Sequence, residues 1–140
     1  MSSRDIRRKY AQNYLKDPAV LFEMANSIKP KEADSFLEIG PGRGALTNQI
    51  NKLDISIICV DIDSNNINYM IDKFQGPANF KFINQDILNF ELPIIDSKLR
   101  IVGNLPYNIS TQIMIKFIDD FEKIEDMHFL VQKEVAQKVN

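Results

Sequence analysis

The sequence predicts an open α/β sheet of parallel strands with helices on both faces. Three observations point there. Short apolar runs alternate with helical stretches, so consecutive strands are joined by crossovers and pair in parallel. The runs are rich in β-branched residues and barely alternate, as in strands covered on both faces. The glycines and polar residues that interrupt the pattern lie just past strand ends, where such sheets bind ligands.

The elements follow in order. Asp17-Pro18 reads as an N-cap followed by proline at the first helical position. Val20, Leu21, Met24, Ala25 and Ile28 then recur at helical spacing, and Lys29-Pro30 ends the helix. Ser35 to Ile39 is a short strand running into Gly40-Pro41-Gly42-Arg43-Gly44, and Ala45 to Leu53 is the next helix. Ser56 to Ile62 is the second strand, with Ser64 expected to cap a helix reaching Phe74, which Gln75-Gly76-Pro77 breaks. Phe80 to Ile83 is the third strand, ending near Asp86, and Leu99 to Gly103 the fourth, running into Asn104-Leu105-Pro106-Tyr107. Ser110 is expected to cap a helix through Asp120. Met127 to Val131 is a fifth strand, and Gln132 to Asn140 begins a helix.

Composition narrows the function classes. The 140 residues are 44% hydrophobic and 26% charged, enough for one ordinary globular core. Apolar runs are too short and interrupted to cross a bilayer, and no apolar segment follows Met1-Ser2-Ser3-Arg4-Asp5, which argues against secretion. With Cys59 the sole cysteine, no internal disulfide forms, which suits a cytoplasmic location. With His128 the sole histidine, a His/Cys metal cluster is excluded, as is a Ser-His-Asp triad that does not use His128. The net charge is -2, but Arg4, Arg7, Arg8, Lys9 and Lys16 against Asp5 give the first sixteen residues a charge of +4. We therefore divide the chain into a basic arm, 1–17, and a core, 18–140. Such an arm can reach a phosphate backbone or can be a solvated terminus.

Four motifs carry the chemistry. Gly40, Gly42 and Gly44 let the backbone turn tightly and approach a ligand, and Gly40, Gly42 and Ala45 satisfy a dinucleotide-binding fingerprint. Asp61 ends the second strand about twenty residues beyond, where a carboxylate can accept both hydroxyls of a ribose; this suits a nicotinamide cofactor and S-adenosylmethionine equally. Asp86, past the third strand, can accept a hydrogen bond from an adenine amine. Asn104-Leu105-Pro106-Tyr107 decides the class. An exocyclic adenine amine is a poor nucleophile, because its lone pair is delocalised into the ring. The Asn104 side-chain oxygen and the Leu105 carbonyl are suitable acceptors for its hydrogens. Pro106 fixes the loop, and Tyr107 can stack on the base.

These residues resemble the KsgA-type ribosomal RNA adenine dimethyltransferases, related to the Erm enzymes. The resemblance begins at Gln12-Asn13-Tyr14-Leu15 and runs through Leu37-Glu-Ile-Gly-Pro-Gly-Arg-Gly-Ala-Leu-Thr47, Asp86 and Val102-Gly-Asn-Leu-Pro-Tyr-Asn-Ile-Ser-Thr111 to Phe129-Leu-Val-Gln-Lys-Glu-Val-Ala136. It implies a Rossmann-like methyltransferase fold with strand order 3-2-1-4-5. It also implies S-adenosylmethionine as cofactor, no metal, and dimethylation of N6 on two adjacent adenines of small-subunit ribosomal RNA, in an immature 30S-type subunit. Gln12, Asn13 and Leu15 would close over the cofactor. Glu38 and Gly40 would line its methionine end, Asp61 would hold its ribose and Asp86 its adenine amine. Gly42, Ile62, Ile87 and Asn104 would also belong to the cofactor site. Asn104, Leu105, Pro106 and Tyr107 would hold the target base.

The sequence departs from the family pattern at Ala11, usually Gly, at Tyr14, usually Phe, and at Asp61, more often Glu. It is also short. The family adds two strands, a second aromatic for the target base and a helical RNA-docking domain. The resemblance therefore implies a truncated enzyme whose last strand has an open edge, one that binds cofactor, methylates poorly and tends to associate, from a full-length monomer. Two other classes stay open on the residues: a nicotinamide-dependent dehydrogenase, on the glycine fingerprint alone, and a non-catalytic RNA-binding relative.

Overall fold

A computed structural model describes residues 18–52, 54–75 and 79–132, the side chains of Tyr107 and Gln132 excepted. Helix α1 (Pro18–Ile28) buries Leu21, Met24 and Ile28, three residues on one helical face. Lys29 takes a left-handed conformation at φ 50°, and Pro30 prevents continuation. Strand β1 (Ser35–Ile39) leads through the glycine turn into α2 (Ala45–Ile50). That helix stops before the expected Leu53, because Asn51 leaves helical geometry.

Strand β2 (Ser56–Asp61) is followed by α3 (Ser64–Lys73). Its N-cap is Asp63, whose side chain accepts from the Asn65 N–H; the expected cap, Ser64, is the first helical residue. Strand β3 (Phe80–Asn84) runs into a 3-10 turn at Ile87–Asn89. Strand β4 (Leu99–Pro106) is three residues longer than expected, because Asn104, Leu105 and Pro106 remain paired with Leu130, Val131 and Gln132.

Ser110 does not cap the next helix. Helix α4 (Tyr107–Lys116) starts earlier, with Pro106 at its N-cap position, and Ser110 is a buried residue of its second turn. The helix also does not reach Asp120: Phe117 breaks it and a 3-10 stretch, Ile118–Lys123, follows. Strand β5 spans Ile124–Gln132, so Gln132 closes a strand rather than opening a helix. The rest of that expected helix, residues 133–140, and the arm, 1–17, lie outside the described residues.

The five strands form one parallel sheet in the order β3-β2-β1-β4-β5, the order the resemblance implied. Each face carries its own core. Phe36, Cys59 and Val102 of the strands meet α1, α2 and α3, with Met70 of α3 among them, on one face. Leu37, Val60 and Ile101 meet Ile113 of α4 and Phe117 at its end on the other. Burying each large apolar side chain contributes about 1.5–3 kcal/mol.

At the foot of the sheet, Arg100 stands inside the buried first half of β4. Its guanidinium pairs with Asp34 at 2.8 Å and Asp126 at 2.9 Å and also donates to the carbonyls of Ile28 and Lys29. One cation thus ties the end of α1 to β4, to β5 and to the residue just before β1, and satisfies carbonyls that the helix end leaves unpaired. The ion pairs hold Arg100 above its usual range. Burial alone would raise the Asp126 carboxyl, but hydrogen bonds from Arg100 and His128 outweigh it and hold the group below its usual range.

Candidate active site

The strand order reverses at β1, whose neighbours are β2 on one side and β4 on the other. The crevice of such a sheet opens at that point, beyond the carboxyl ends of the strands. The glycine turn leaves β1 there, and Asn104-Leu105-Pro106 closes β4 beside it. Gly40 donates to the Val60 carbonyl at 2.9 Å, anchoring the turn to β2. Gly40, Gly42 and Gly44 all have positive φ, at 63°, 58° and 84°. A side chain at any of the three would strain the backbone. A Cβ on Gly40 would sit 3.9 Å from Leu105 Cδ2, whereas one on Gly42 would meet nothing within 4 Å. The turn and the Asn104 motif therefore face each other, with open space over Gly42.

Alternation along the strands puts Glu38, Asp61 and Asn104 on one face of the sheet, since Phe36, Cys59 and Val102, two residues before each, belong to one core. Glu38 is buried and accepts a hydrogen bond from the Thr47 hydroxyl of α2. Burial pushes its carboxyl up to about 7; the Thr47 hydrogen bond opposes the rise and the Asp61 charge adds to it. Burial also raises the Cys59 thiol, with the charges of Glu38 and Asp61 adding, so this cysteine is an inert core residue.

Both oxygens of Asp61 are held. Oδ1 accepts from the Asp63 N–H at 2.9 Å and Oδ2 from the Asn66 amide at 3.1 Å. Asn84 donates to the carbonyls of Asp61 and Ile62 and fixes the end of β2 against β3. Ile62, 71% exposed, offers an apolar surface beside Asp61. Asp86 uses one oxygen to cap the 3-10 turn, accepting from the Leu88 N–H at 3.0 Å. Ile87 is buried and packs into the second core.

Asn104 stands out among the described residues: its Nδ2 is buried with no hydrogen-bond partner. An unpaired buried amide group costs about 1–3 kcal/mol, and a ligand would satisfy it. A half-turn of the amide exchanges donor and acceptor at that spot. Leu105 is buried in the second core. Pro106 is a strand-end residue and not, as expected, part of a free loop; its lack of an N–H suits the start of α4.

Ten of the expected site residues, Glu38, Gly40, Gly42, Asp61, Ile62, Asp86, Ile87, Asn104, Leu105 and Pro106, thus lie at the carboxyl end of the sheet. Tyr107 opens α4. Gln12, Asn13 and Leu15 lie outside the described residues. Sequence reasoning missed Thr47, Asn66 and Gly103. A Cβ on Gly103 would lie 2.9 Å from the Ile39 carbonyl, so only glycine lets β4 approach β1 just before Asn104. Thr47 was legible as a polar residue on the buried face of a helix following the turn. Among the described residues, no three His, Cys, Asp or Glu side chains gather as a metal site, and no helix is long and apolar enough to cross a membrane.

Comparisons with known proteins agree with this geometry. The ribosomal RNA small subunit methyltransferase A of Wigglesworthia glossinidia brevipalpis is 43% identical over 136 residues, covering 94% of this chain and 52% of the relative. The chain spans about half the length of the curated relatives it matches. Among solved structures, the 23S rRNA methyltransferase ErmE superposes with a TM-score of 0.71 at 26% identity, over 88% of this chain and 49% of its own. A dimethyladenosine transferase from Plasmodium falciparum gives 0.60 at 30% identity, over 74% and 36%. The model of the family described as "Ribosomal RNA adenine dimethylase" matches residues 3–140. The chain belongs to the ribosomal RNA adenine dimethylase family.

Proposed function

We propose that this chain carries the cofactor and target-base sites of an S-adenosylmethionine-dependent enzyme that methylates N6 of adenines in ribosomal RNA. Its substrate on this reading is small-subunit (16S) RNA in an immature 30S-type subunit, its product two adjacent dimethyladenosines, and its compartment the cytoplasm. One observation carries the proposal: the glycine turn and Asn104 meet at the switch point of the sheet, with a buried, unpartnered Asn104 amide, while Asp61 and Asp86 close the neighbouring strand ends. Family membership sets aside the nicotinamide reading, which rested on the glycines alone.

The residues fit the cofactor. Gly42 leaves its inner face open; Glu38 and Gly40 would flank the methionine end, Asp61 would take the ribose hydroxyls, and Asp86 would take the adenine amine. When bound, S-adenosylmethionine supplies an electrophilic methyl group. Asn104 and the Leu105 carbonyl would accept hydrogen bonds from the target amine and so orient its lone pair for transfer. By the family resemblance Tyr107 would supply an aromatic face for the base, and Gln12, Asn13 and Leu15 would close the site. Alignment of this kind contributes up to roughly 7–11 kcal/mol to a barrier. No strong base is needed, because the methylated amine is acidic enough to lose its proton to water. In the full-length enzyme, Asn104→Ala is expected to cut turnover by about a hundredfold while changing cofactor affinity little. Equal losses in both, read by labelled methyl transfer and by calorimetry, would make Asn104 structural.

A further inference from the structure

Three contacts converge on the outer half of the glycine turn, and all come from α3 and the residue after it. The Lys73 ammonium donates to the Arg43 carbonyl at 3.0 Å. The Arg43 guanidinium lies over the Tyr69 ring, 4.4 Å from its centre, and Lys73 approaches the same ring at 5.7 Å. Gly44 abuts the same helix: a Cβ there would come within 2.9 Å of Phe74 Cε2 and 3.0 Å of Met70 Sδ. The inner half is different, with open space at Gly42 and a single ordinary contact at Gly40.

The turn needs holding. Glycine loses more conformational freedom on ordering than any other residue, and three of them stand within five positions. A ligand that requires one form of the turn loses apparent affinity in proportion to the time spent in other forms. Pinning the outer half while leaving the inner half free keeps the turn ready without filling the crevice. A cation stacked on an aromatic face is also a more directional restraint than a lone solvated lysine.

We propose that Tyr69 and Lys73 are positioning residues for the cofactor. They act through Arg43 to hold the glycine turn in the form that receives the methionine end of S-adenosylmethionine. Neither residue is expected to touch the ligand. The inference rests on the cofactor reading above and extends it to a helix face that the sequence motifs do not mark.

The test titrates S-adenosylhomocysteine, and separately adenosine, into the chain and its variants. Tyr69→Leu with Lys73→Met should weaken S-adenosylhomocysteine binding by about tenfold, by lowering the fraction of competent turn. Adenosine, which reaches Asp61 and Asp86 but not the methionine end, should lose less than about twofold on the same argument. The ligand-free melting temperature should stay close to that of the unaltered chain. Tyr69→Phe and Lys73→Arg keep the ring and the donor and should bind like the unaltered chain. Unchanged S-adenosylhomocysteine affinity in the double variant would overturn the inference, as would equal losses for both ligands together with a lowered melting temperature. If the unaltered chain bound adenosine and S-adenosylhomocysteine not at all, the cofactor reading itself would fall, and this inference with it.

Discussion

At the residue scale, two carboxylates make the stability of this protein depend on pH with opposite signs. Glu38 titrates near 7 in the fold against 4.5 as an ordinary glutamate. Between those values the folded chain keeps a proton that the unfolded chain has lost, so stability falls as pH rises from about 4.5 to 7. Glu38→Gln should abolish that fall, making the variant the more stable of the two above pH 7. A ligand-free chain whose melting temperature stays flat across this window, with and without the substitution, would contradict the buried Glu38. Asp126 acts the other way: its folded value is depressed, so its contribution is present above the ordinary carboxylate range and is lost as pH falls through it.

Two carboxylates of the site, Glu38 and Asp61, show what the sequence could and could not reveal. Glu38 was legible as a site residue because it sits in the glycine motif, and the helical spacing put Thr47 on a buried face, but the hydrogen bond between the two depends on how that helix packs on β1. Asp61 was legible from its distance to the glycines. The Asn66 amide that holds it was not, because a helix-start asparagine looks like any other polar surface residue until the helix is packed.

At the element scale, the foot of the sheet is held by a charge that the strand pattern conceals. Leu99 to Gly103 reads as an apolar strand, and Arg100 within it is 6% exposed at its side chain. Arg100→Ala would leave Asp34 and Asp126 facing the carbonyls at the end of α1. Breaking a buried pair costs about 3–5 kcal/mol, and the one-third exposure of Asp126 argues for the lower end, about 3 kcal/mol. Urea unfolding should show that loss, with no change in cofactor affinity for the molecules still folded. A loss below about 0.5 kcal/mol would class the cluster with ordinary surface ion pairs.

Strand order and parallel pairing were within reach of the sequence, because crossover connections and the family motifs constrain them. The ends of elements were not. Asn104 to Pro106 read as a loop, but their pairing with Leu130 to Gln132 keeps them in the sheet. Phe117 reads as a continuing helical residue, but it ends α4 as a buried anchor of the second core. Long-range pairing and packing override local pattern in both places.

At the scale of the whole molecule, the described sheet ends at β5 with one side unpaired. Val131 is 39% exposed on that strand, and Ile115, Ile118 and Phe121 are exposed on the helical segments packed beside it. An unpaired edge flanked by apolar side chains favours self-pairing. The chain is therefore expected to sediment with a mass that rises with concentration, and Val131→Lys to reduce that rise by placing a charge on the edge. A single monomeric species across the whole concentration range would remove the edge as an association site.

What the crevice binds decides the function of this chain. Calorimetric titration of the chain with S-adenosylmethionine, run beside NAD, tests that directly. Saturable one-to-one binding of S-adenosylmethionine is expected, with no heat from NAD. Asp61→Ala should weaken that binding by about 1.5–3 kcal/mol, as removal of a charged hydrogen-bond partner does. Binding of NAD in preference to S-adenosylmethionine, or equal affinity in the Asp61→Ala variant, would contradict the site described.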